Sequence, residues 1–357
     1  MRPRRSRGRG PVAVPPPVTL RTLAEYLGLA PATISIVINR SPVAESIPQR
    51  TRNRILAAAR KLGYRPNSVA RSLRHRRTFT IGVLVPEISE GYAALVMSGI
   101  EDYLLKAGYL YFVASHRHRP DLIEEYPKLL LDRAVEGVIA VDTPCPRPLP
   151  VPVVAVSGHG RTAGVTNIEL DHDLAARLAL EHLAGLGHRR LAFIKGQSFS
   201  SDTEVRWRAI ARAARALGLP VDLGLVVQLE GDLASPELGY QVTLDLLARR
   251  RSFTALFAFN DISAIGAIRA LREAGHRVPE DVSVVGFDDI QSAAYQHPPL
   301  TTVRQPLRRM GEIAADIMLR RIAAGARAAY PRSIVVEPEL VVRGTTARAR
   351  AGVAAMA

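Results

Sequence analysis

Two sets of residues in this 357-residue sequence have the types and spacing for recognition chemistry. The first is the run "PATISIVIN", residues 31–39. At helical period it turns Ile34 and Val37 to one side and leaves Pro31, Ala32, Thr33, Ser35, Ile36 and Asn39 to face outward. Thr33, Ser35 and Asn39 can hydrogen-bond phosphates, while the ends of such a helix reach base edges. The second set follows a series of apolar runs: Pro86 to Tyr92, Ser115, Asp142 with Thr143, Ser157, Gly196, Asn260 with Asp261, and Asp288 with Asp289. A sheet built only for packing has little need of carboxylates and amides there, and in open α/β sheets ligands sit beyond the carboxyl ends of the strands. Neither set suggests a reaction. No Ser-His-Asp spacing or general acid–base pair can be defended, and no cofactor or metal is expected. "HRH" at 116–118 has no nearby third ligand and reads as a solvated loop. "GHG" at 158–160 lacks the lysine and Ser/Thr of a phosphate loop.

The first set needs a partner helix, and the preceding residues supply one. Leu20–Leu27 reads as a helix and Gly28 as a left-handed turn. Leu23, Leu27, Leu29, Ile34 and Val37 pack the pair together around the small Ala24, as in a helix-turn-helix. A third helix is expected from about Gln49 to Leu62, stopped by Gly63. The charge points the same way. Of 48 Lys+Arg, 17 fall in residues 1–77 beside only Glu25 and Glu45, and the remainder holds 31 cations and 31 acids. A cationic surplus confined to the first fifth of a chain reads as a footprint for a polyanion. A packing hairpin would not need that setting.

The second set needs parallel sheets. "TIGVLVP", "YLYFVAS", "VEGVIAVD", "VPVVAVS", "RLAFIKG", "LVVQLEG", "TALFAFND" and "VSVVGFDD" are continuous apolar runs, as in strands covered on both faces, and helical patterns fall between them. They suggest two doubly wound α/β units with a break near residues 158–172. Such a pair makes a cleft that closes on a small ligand. The expected organisation is a disordered basic arm (1–17), a helix-turn-helix domain (18–65), a hinge helix and linker (66–77), an α/β core (78–343) and a flexible tail (344–357). Within the core, one subdomain takes about 78–170 and 300–330, and the other about 171–299 and 331–343. The single cysteine, Cys145, fits a reducing cytoplasm, and no apolar run approaches the roughly 18 residues of a membrane span.

Taken together, "VTLRTLAEYLGLAPATISIVIN", "TRNRILAAARKLGYRPNSVARSL", "TIGVLVP", "LAGLGHRRLAFIKG", "TALFAFNDISAIGAIRALREAGHRVPEDVSVVGFDD" and "PPLTTVRQP" resemble the lac-repressor (LacI/GalR) family of bacterial transcription regulators. The resemblance runs from about Val18 to Arg343. It implies a helix-turn-helix head on a core like that of periplasmic binding proteins. It implies phosphate contacts at Thr19, Thr33, Ser35 and Asn39, and base approach by Arg21, Pro31 and Ala32, with Leu20 alongside and with Arg21 and Arg40 as the arginines that can compensate for Ile36. "PNSVARSL" matches the hinge helix that folds when two subunits meet on an operator; Leu73 matches its minor-groove wedge, with Asn67, Ala70 and Arg74 beside it. Arg206 matches an arginine that binds effector, with Asn260 and Asp288 as its polar partners; Tyr92, Asp142 and Ser157 complete the expected site. An arginine fork, an amide and a carboxylate together satisfy vicinal hydroxyls or a carboxylate. Tyr92, Phe287 and Trp207 offer stacking faces, although Trp207 reads better as core or interface. Arg206 as a surface charge and Asp288 as a turn cap remain alternatives. Ile36 stands where most members carry arginine; it is left to touch a thymine methyl or to pack, shaping base preference without adding phosphate affinity.

The expected function is a ligand-responsive regulator, a repressor, that binds a palindromic DNA operator as a homodimer in the cytoplasm, at the nucleoid. A sugar-like effector in the cleft would modulate it. A solute-binding protein of the periplasmic type shares the cleft but needs an export signal and no DNA-binding head. An enzyme with an appended head would need catalytic groups that the sequence does not present.

Overall fold

The computed structural model describes residues 18–39, 41–64, 77–88, 91–145, 147–158, 160, 162–231, 235–325 and 330–350. The chain divides into two compact units, Met1–Thr78 and Phe79–Ala357.

In the first unit, α1 (Leu20–Leu27) begins at Thr19, whose side chain accepts the Thr22 N–H, and ends at Gly28, whose φ of 64° is the left-handed cap. α2 (Pro31–Ile38) starts on a proline, which costs nothing where the N–H has no helical partner. A 3-10 turn, Pro42–Ser46, leads to α3 (Gln49–Lys61). Leu23, Ala24, Leu27, Ile34, Val37, Ile55 and Ala58 are buried together, with Leu29 partly buried against them. Burial of each large side chain contributes roughly 1.5–3 kcal/mol, which holds three short helices that would be marginal alone. The expected arm, the hinge helix and Arg40 lie outside the described residues, as do Asn67, Ala70, Leu73 and Arg74.

The second unit contains two six-stranded sheets. The first runs in the order β11-β5-β4-β3-β1-β2 and the second in the order β12-β10-β9-β8-β6-β7. Their strands are β1 (Thr80–Val85), β2 (Leu110–Ser115), β3 (Gly137–Val141), β4 (Val153–Val156), β5 (Val165–Leu170), β6 (Leu191–Lys195), β7 (Val226–Gln228), β8 (Ala255–Phe257), β9 (Ser283–Asp288), β10 (Thr301–Arg304), β11 (Ser333–Val336) and β12 (Glu339–Val341). All pairings are parallel except β10 with β12. The helices between them are α4 (Tyr92–Lys106), α5 (Pro120–Asp132), α6 (His172–Gly185), α7 (Ser201–Ala216), α8 (Pro236–Ala248), α9 (Asp261–Glu273), α10 (Gln291–Tyr295) and α11 (Leu307–Ala324). Both sheets are doubly wound, with switch points between β1 and β3 and between β6 and β8.

The sheets depart from the expected boundaries in four ways. β5 lies inside the break expected near residues 158–172, and its Thr166 and Asn167 are buried. β10 joins the second sheet, although 300–330 was assigned to the first subdomain, and β11 joins the first, although 331–343 was assigned to the second. The chain therefore crosses between sheets after β5, after β10 and after β11. β2 is an edge strand rather than a covered one, with Leu110 and Phe112 exposed. Residues 344–350 are also no free tail. Thr345 is fully buried, its carbonyl accepts from Val284 N–H at 2.8 Å, and the Ala347 carbonyl lies 3.0 Å from His188 Nε2.

Candidate functional site

The head presents one face of α2. Pro31, Ala32 and Asn39 are exposed, and Thr33 and Ile36 are half-buried. Thr19 is exposed at the start of α1, Leu20 is half-buried, and Arg21 extends into solvent with an ion pair to Glu25 at 3.4 Å. Ser35 departs from the expectation. It is buried, and its Oγ accepts from Asn39 Nδ2 at 3.0 Å. It points inward because it lies between Ile34 and Val37 on the packed side, and it serves to orient Asn39.

In the second unit, a cavity of about 110 Å³ opens at the carboxyl ends of the strands that flank both switch points. From the first sheet it takes Pro86, Glu87, Tyr92, His118 and Asp142, and from the second Gln197, Phe199, Asp202, Arg206, Asn260 and Asp288. Several strand ends here are strained. Asp142, Ser157, Asp288 and Asp289 all have positive φ (39°, 53°, 108° and 57°), a conformation that side-chain-bearing residues rarely adopt outside functional sites.

Arg206 is 3% exposed and organises the second-sheet wall. It projects from the first turns of α7. Its Nη2 meets Asp202 Oδ2 at 3.1 Å, its Nη1 donates to the Phe259 carbonyl, and the guanidinium stacks 3.7 Å from the Phe287 ring centroid. Its Nε has no protein acceptor. The surface-charge alternative therefore fails. Asn260 caps α9 through Oδ1, which accepts from Ser263 N–H at 2.9 Å, so only its Nδ2 end remains for a ligand. Asp288 accepts from Gln305 Nε2 at 2.6 Å. Burial pushes its carboxyl up to about 7, against the nearby Arg206 and the Gln305 hydrogen bond, with Asp202 adding to the rise. Burial, then the Asp202 and Asp142 carboxylates, keep the Tyr92 phenol protonated. Its hydroxyl and Ser157 Oγ are both buried without a well-formed hydrogen bond.

Contacts also cross the cleft. Ser201 Oγ lies 3.0 Å from Asp142 Oδ1 and 2.8 Å from the Ser157 carbonyl, and His118 stacks on Phe199 with centroids 3.9 Å apart. The structure thus gathers Tyr92, Asp142, Arg206, Asn260 and Asp288 around one cavity, with Ser157 behind the wall. Phe287 is no stacking face for a ligand, because it is fully buried beneath Arg206. Trp207 packs edge-on against Phe193 in the core. The 116–118 segment is not a solvated loop. His116 is buried, bonded to Thr143 Oγ1 at 2.9 Å and held down at about 4 by burial, while His118 lines the cavity. Asp202 was missed, although it precedes Arg206 by four residues, the spacing of facing helical partners. Phe199 and His118 carry no comparable signal.

Among the described residues no helix is long and apolar enough to cross a membrane. Residues 19–67 match the model of the bacterial regulatory proteins of the lacI family, and residues 180–346 match that of a periplasmic binding protein-like domain. The HTH-type transcriptional repressor PurR of Haemophilus influenzae is 32% identical over 334 residues, which cover 91% of this chain and 97% of that protein.

The chain belongs to the lacI family.

Solved structures agree with that membership. The lac repressor dimer bound to operator and the anti-inducer ONPF superposes with a TM-score of 0.80 at 28% identity, over 93% of this chain and 99% of that one. A transcriptional regulator CelR–cellobiose complex gives 0.66 at 31% identity, over 92% and 99%. A regulator from Alkaliphilus metalliredigens in complex with D-xylulofuranose gives 0.67 at 27%, over 75% and 98%. This lacI-family chain is a DNA-binding transcriptional regulator and not an enzyme.

The raised Asp288 carboxyl makes a signed prediction. Its folded value lies above the ordinary carboxylate value of 3.8. The folded state therefore binds more protons than the unfolded chain between about 4 and about 7, and this group's stabilising contribution is lost as pH rises through that window. Three pKa units correspond to roughly 4 kcal/mol at most. Urea unfolding between pH 5 and 7.5 should show Asp288→Asn losing less stability with rising pH than the parent. Parallel pH profiles would refute the assignment.

Proposed function

We propose that this regulator represses transcription by binding a palindromic operator as a homodimer, and that a sugar-like effector in the cleft sets its DNA affinity. Thr19, Thr33 and Asn39 are assigned to phosphates, and Arg21, Pro31, Ala32 and Ile36 to base edges. Tyr92, Asp142, Arg206, Asn260 and Asp288 are assigned to the effector, with Ser157 supporting Tyr92. The protein works in the cytoplasm, beside its DNA.

The observation that carries this reading is the buried Arg206, paired with Asp202 and with its Nε unused, lining one small cavity together with Asn260, Asp288 and Tyr92, whose hydroxyl also lacks a hydrogen-bond partner. Unsatisfied buried donors cost about 1–3 kcal/mol each, and a polyhydroxylated ligand satisfies them. Related regulators are named with cellobiose and D-xylulofuranose bound, and the lac repressor is described as a dimer on its operator. Because the two halves of the cleft already touch through Ser201 and through His118 on Phe199, a ligand favours one degree of closure over another. Reciprocal linkage then changes DNA affinity.

The test is selection of duplexes from a random library at fixed salt, repeated with a panel of sugars. An enriched palindrome is expected, bound with an affinity that falls steeply between 50 and 200 mM salt and shifts with one sugar class. Binding without sequence preference, with or without sugars, would defeat the proposal.

A further inference from the structure

The head takes its charge from one set of residues and its reading surface from another. α2 carries no charged side chain at all: its residues are Pro31, Ala32, Thr33, Ile34, Ser35, Ile36, Val37 and Ile38. The cations stand outside it. Arg21, Arg50, Arg54, Arg60 and Lys61 are all exposed on α1 and α3. Electrostatic attraction to a polyanion is thereby supplied without any arginine or lysine on the helix that faces the groove.

This leaves a narrow choice of base chemistry. Discrimination by hydrogen bonds uses arginine or lysine on guanine, asparagine or glutamine on adenine, and carboxylates on cytosine. α2 has none of these. Asn39, just beyond it, commits one N–H to Ser35 Oγ at 3.0 Å, which orients its remaining amide groups for the phosphate assigned to it. The outward surface is Pro31, Ala32 and the half-buried Ile36, and Ala32 and Ile36 lie one turn apart on the same face. The major groove offers one apolar feature that distinguishes a base pair, the C5-methyl of thymine.

We infer that this chain reads its operator through thymine methyl groups, with Ala32 and Ile36 as the contacting surface. The inference rests on the assignment of α2 to base edges made above. Thr33 and Asn39 then position the helix on phosphates, Arg21 on α1 remains the hydrogen-bonding reader assigned above, and the specificity contributed by α2 comes from desolvating methyls.

The test uses DNA chemistry, so it needs no protein variant that might fold badly. In the duplex obtained by selection, each thymine of a half-site is replaced in turn by deoxyuridine, which removes the methyl and keeps the base pair. Affinity should fall about fourfold for each contacted methyl, the worth of one buried methyl-sized group, and about 15-fold when both half-sites are changed. At the sensitive position, a 5-methylcytosine·guanine pair should bind better than cytosine·guanine. Ile36→Ala should lose sensitivity to deoxyuridine at one thymine of each half-site and keep it at the thymine contacted by Ala32. Indifference to deoxyuridine at every position of an enriched operator would overturn the inference and leave the regulator reading intact. Failure to enrich any sequence would remove both.

Discussion

Arg206→Ala is expected to destabilise the second unit by about 3 kcal/mol and to abolish the effector response, while DNA affinity in the absence of effector stays within a few-fold of the parent. The stability part follows from burial. Arg206 and Asp202 form an ion pair with side chains only 4% and 8% exposed. Removing one member of such a pair leaves an uncompensated charge in low dielectric, which costs roughly 3–5 kcal/mol. The low end applies here because Asp202 keeps a second neighbour, His172 Nε2, 3.5 Å from its Oδ1. The loss also frees the faces of Phe287 and Phe259, on which the guanidinium now stacks. The response part follows from geometry, since no other described cation lines the cavity apart from the titratable His118. Urea unfolding gives the first quantity, and operator titration with and without the active sugar gives the second. Arg206→Lys separates the two: it restores charge without the planar fork, so stability should recover more than effector response. An Arg206→Ala protein that still responds to effector would remove this residue from the site.

The sequence was most legible where one residue type has one physical use. Gly28 takes a left-handed turn and Pro31 opens a helix, and the expected bounds of α1 and α2 match the structure; the Thr19 cap is visible only there. Continuous apolar runs likewise marked β1, β3, β4, β6, β8 and β9, because strands covered on both faces exclude polar side chains. The same rule hid β5 and β10, whose polar residues are buried and bonded rather than exposed. Thr166 Oγ1 donates to the Pro331 carbonyl at 2.8 Å, Asn167 Nδ2 to the Gly160 carbonyl at 2.6 Å, and Thr302 Oγ1 to Asp261 Oδ1 at 2.6 Å. The partners of Thr166 and Thr302 are 165 and 41 positions away, so no local pattern announces them. Residues 344–350 were misread for the same reason: Thr345 closes on Val284 across 61 positions.

The candidate site divides in the same way. Asp142, Asn260 and Asp288 follow apolar runs, and strand ends in doubly wound sheets are where ligands sit. Phe199 carries no signal of its own and His118 reads as part of a solvated loop, because their role depends on the two halves of the cleft meeting, which neither segment encodes alone. Ser35 shows the limit of helical periodicity at the edge of an apolar stripe. It lies beside Ile34, where a polar residue falls on either side of the boundary, and in the structure it is 6% exposed.

Cutting the chain between Thr78 and Phe79 should produce a second unit that binds sugar like the intact protein and has lost at least a thousandfold in operator affinity. The cut falls on the division between the two compact units. It spares the anchors of the first strand, where Phe79 N–H donates to Glu136 Oε1 at 2.8 Å and the Phe79 ring meets Tyr109 edge-on at 5.4 Å. All the groups around the cavity lie beyond it. The charge argument is sharper. Removing 17 cations with two acids leaves 31 of each, so the remainder has no surplus to release counterions from a duplex. The intact chain should therefore show a steep fall of affinity with salt, and the truncated one a nearly flat, weak response. Fluorescence anisotropy on the selected operator at 50 and 200 mM salt measures both, and calorimetry with the active sugar measures the retained site. Truncated protein that held the operator within tenfold of the parent would place the DNA-binding surface on the α/β body, and the division of labour between a charged head and a ligand-gated cleft would fall with it.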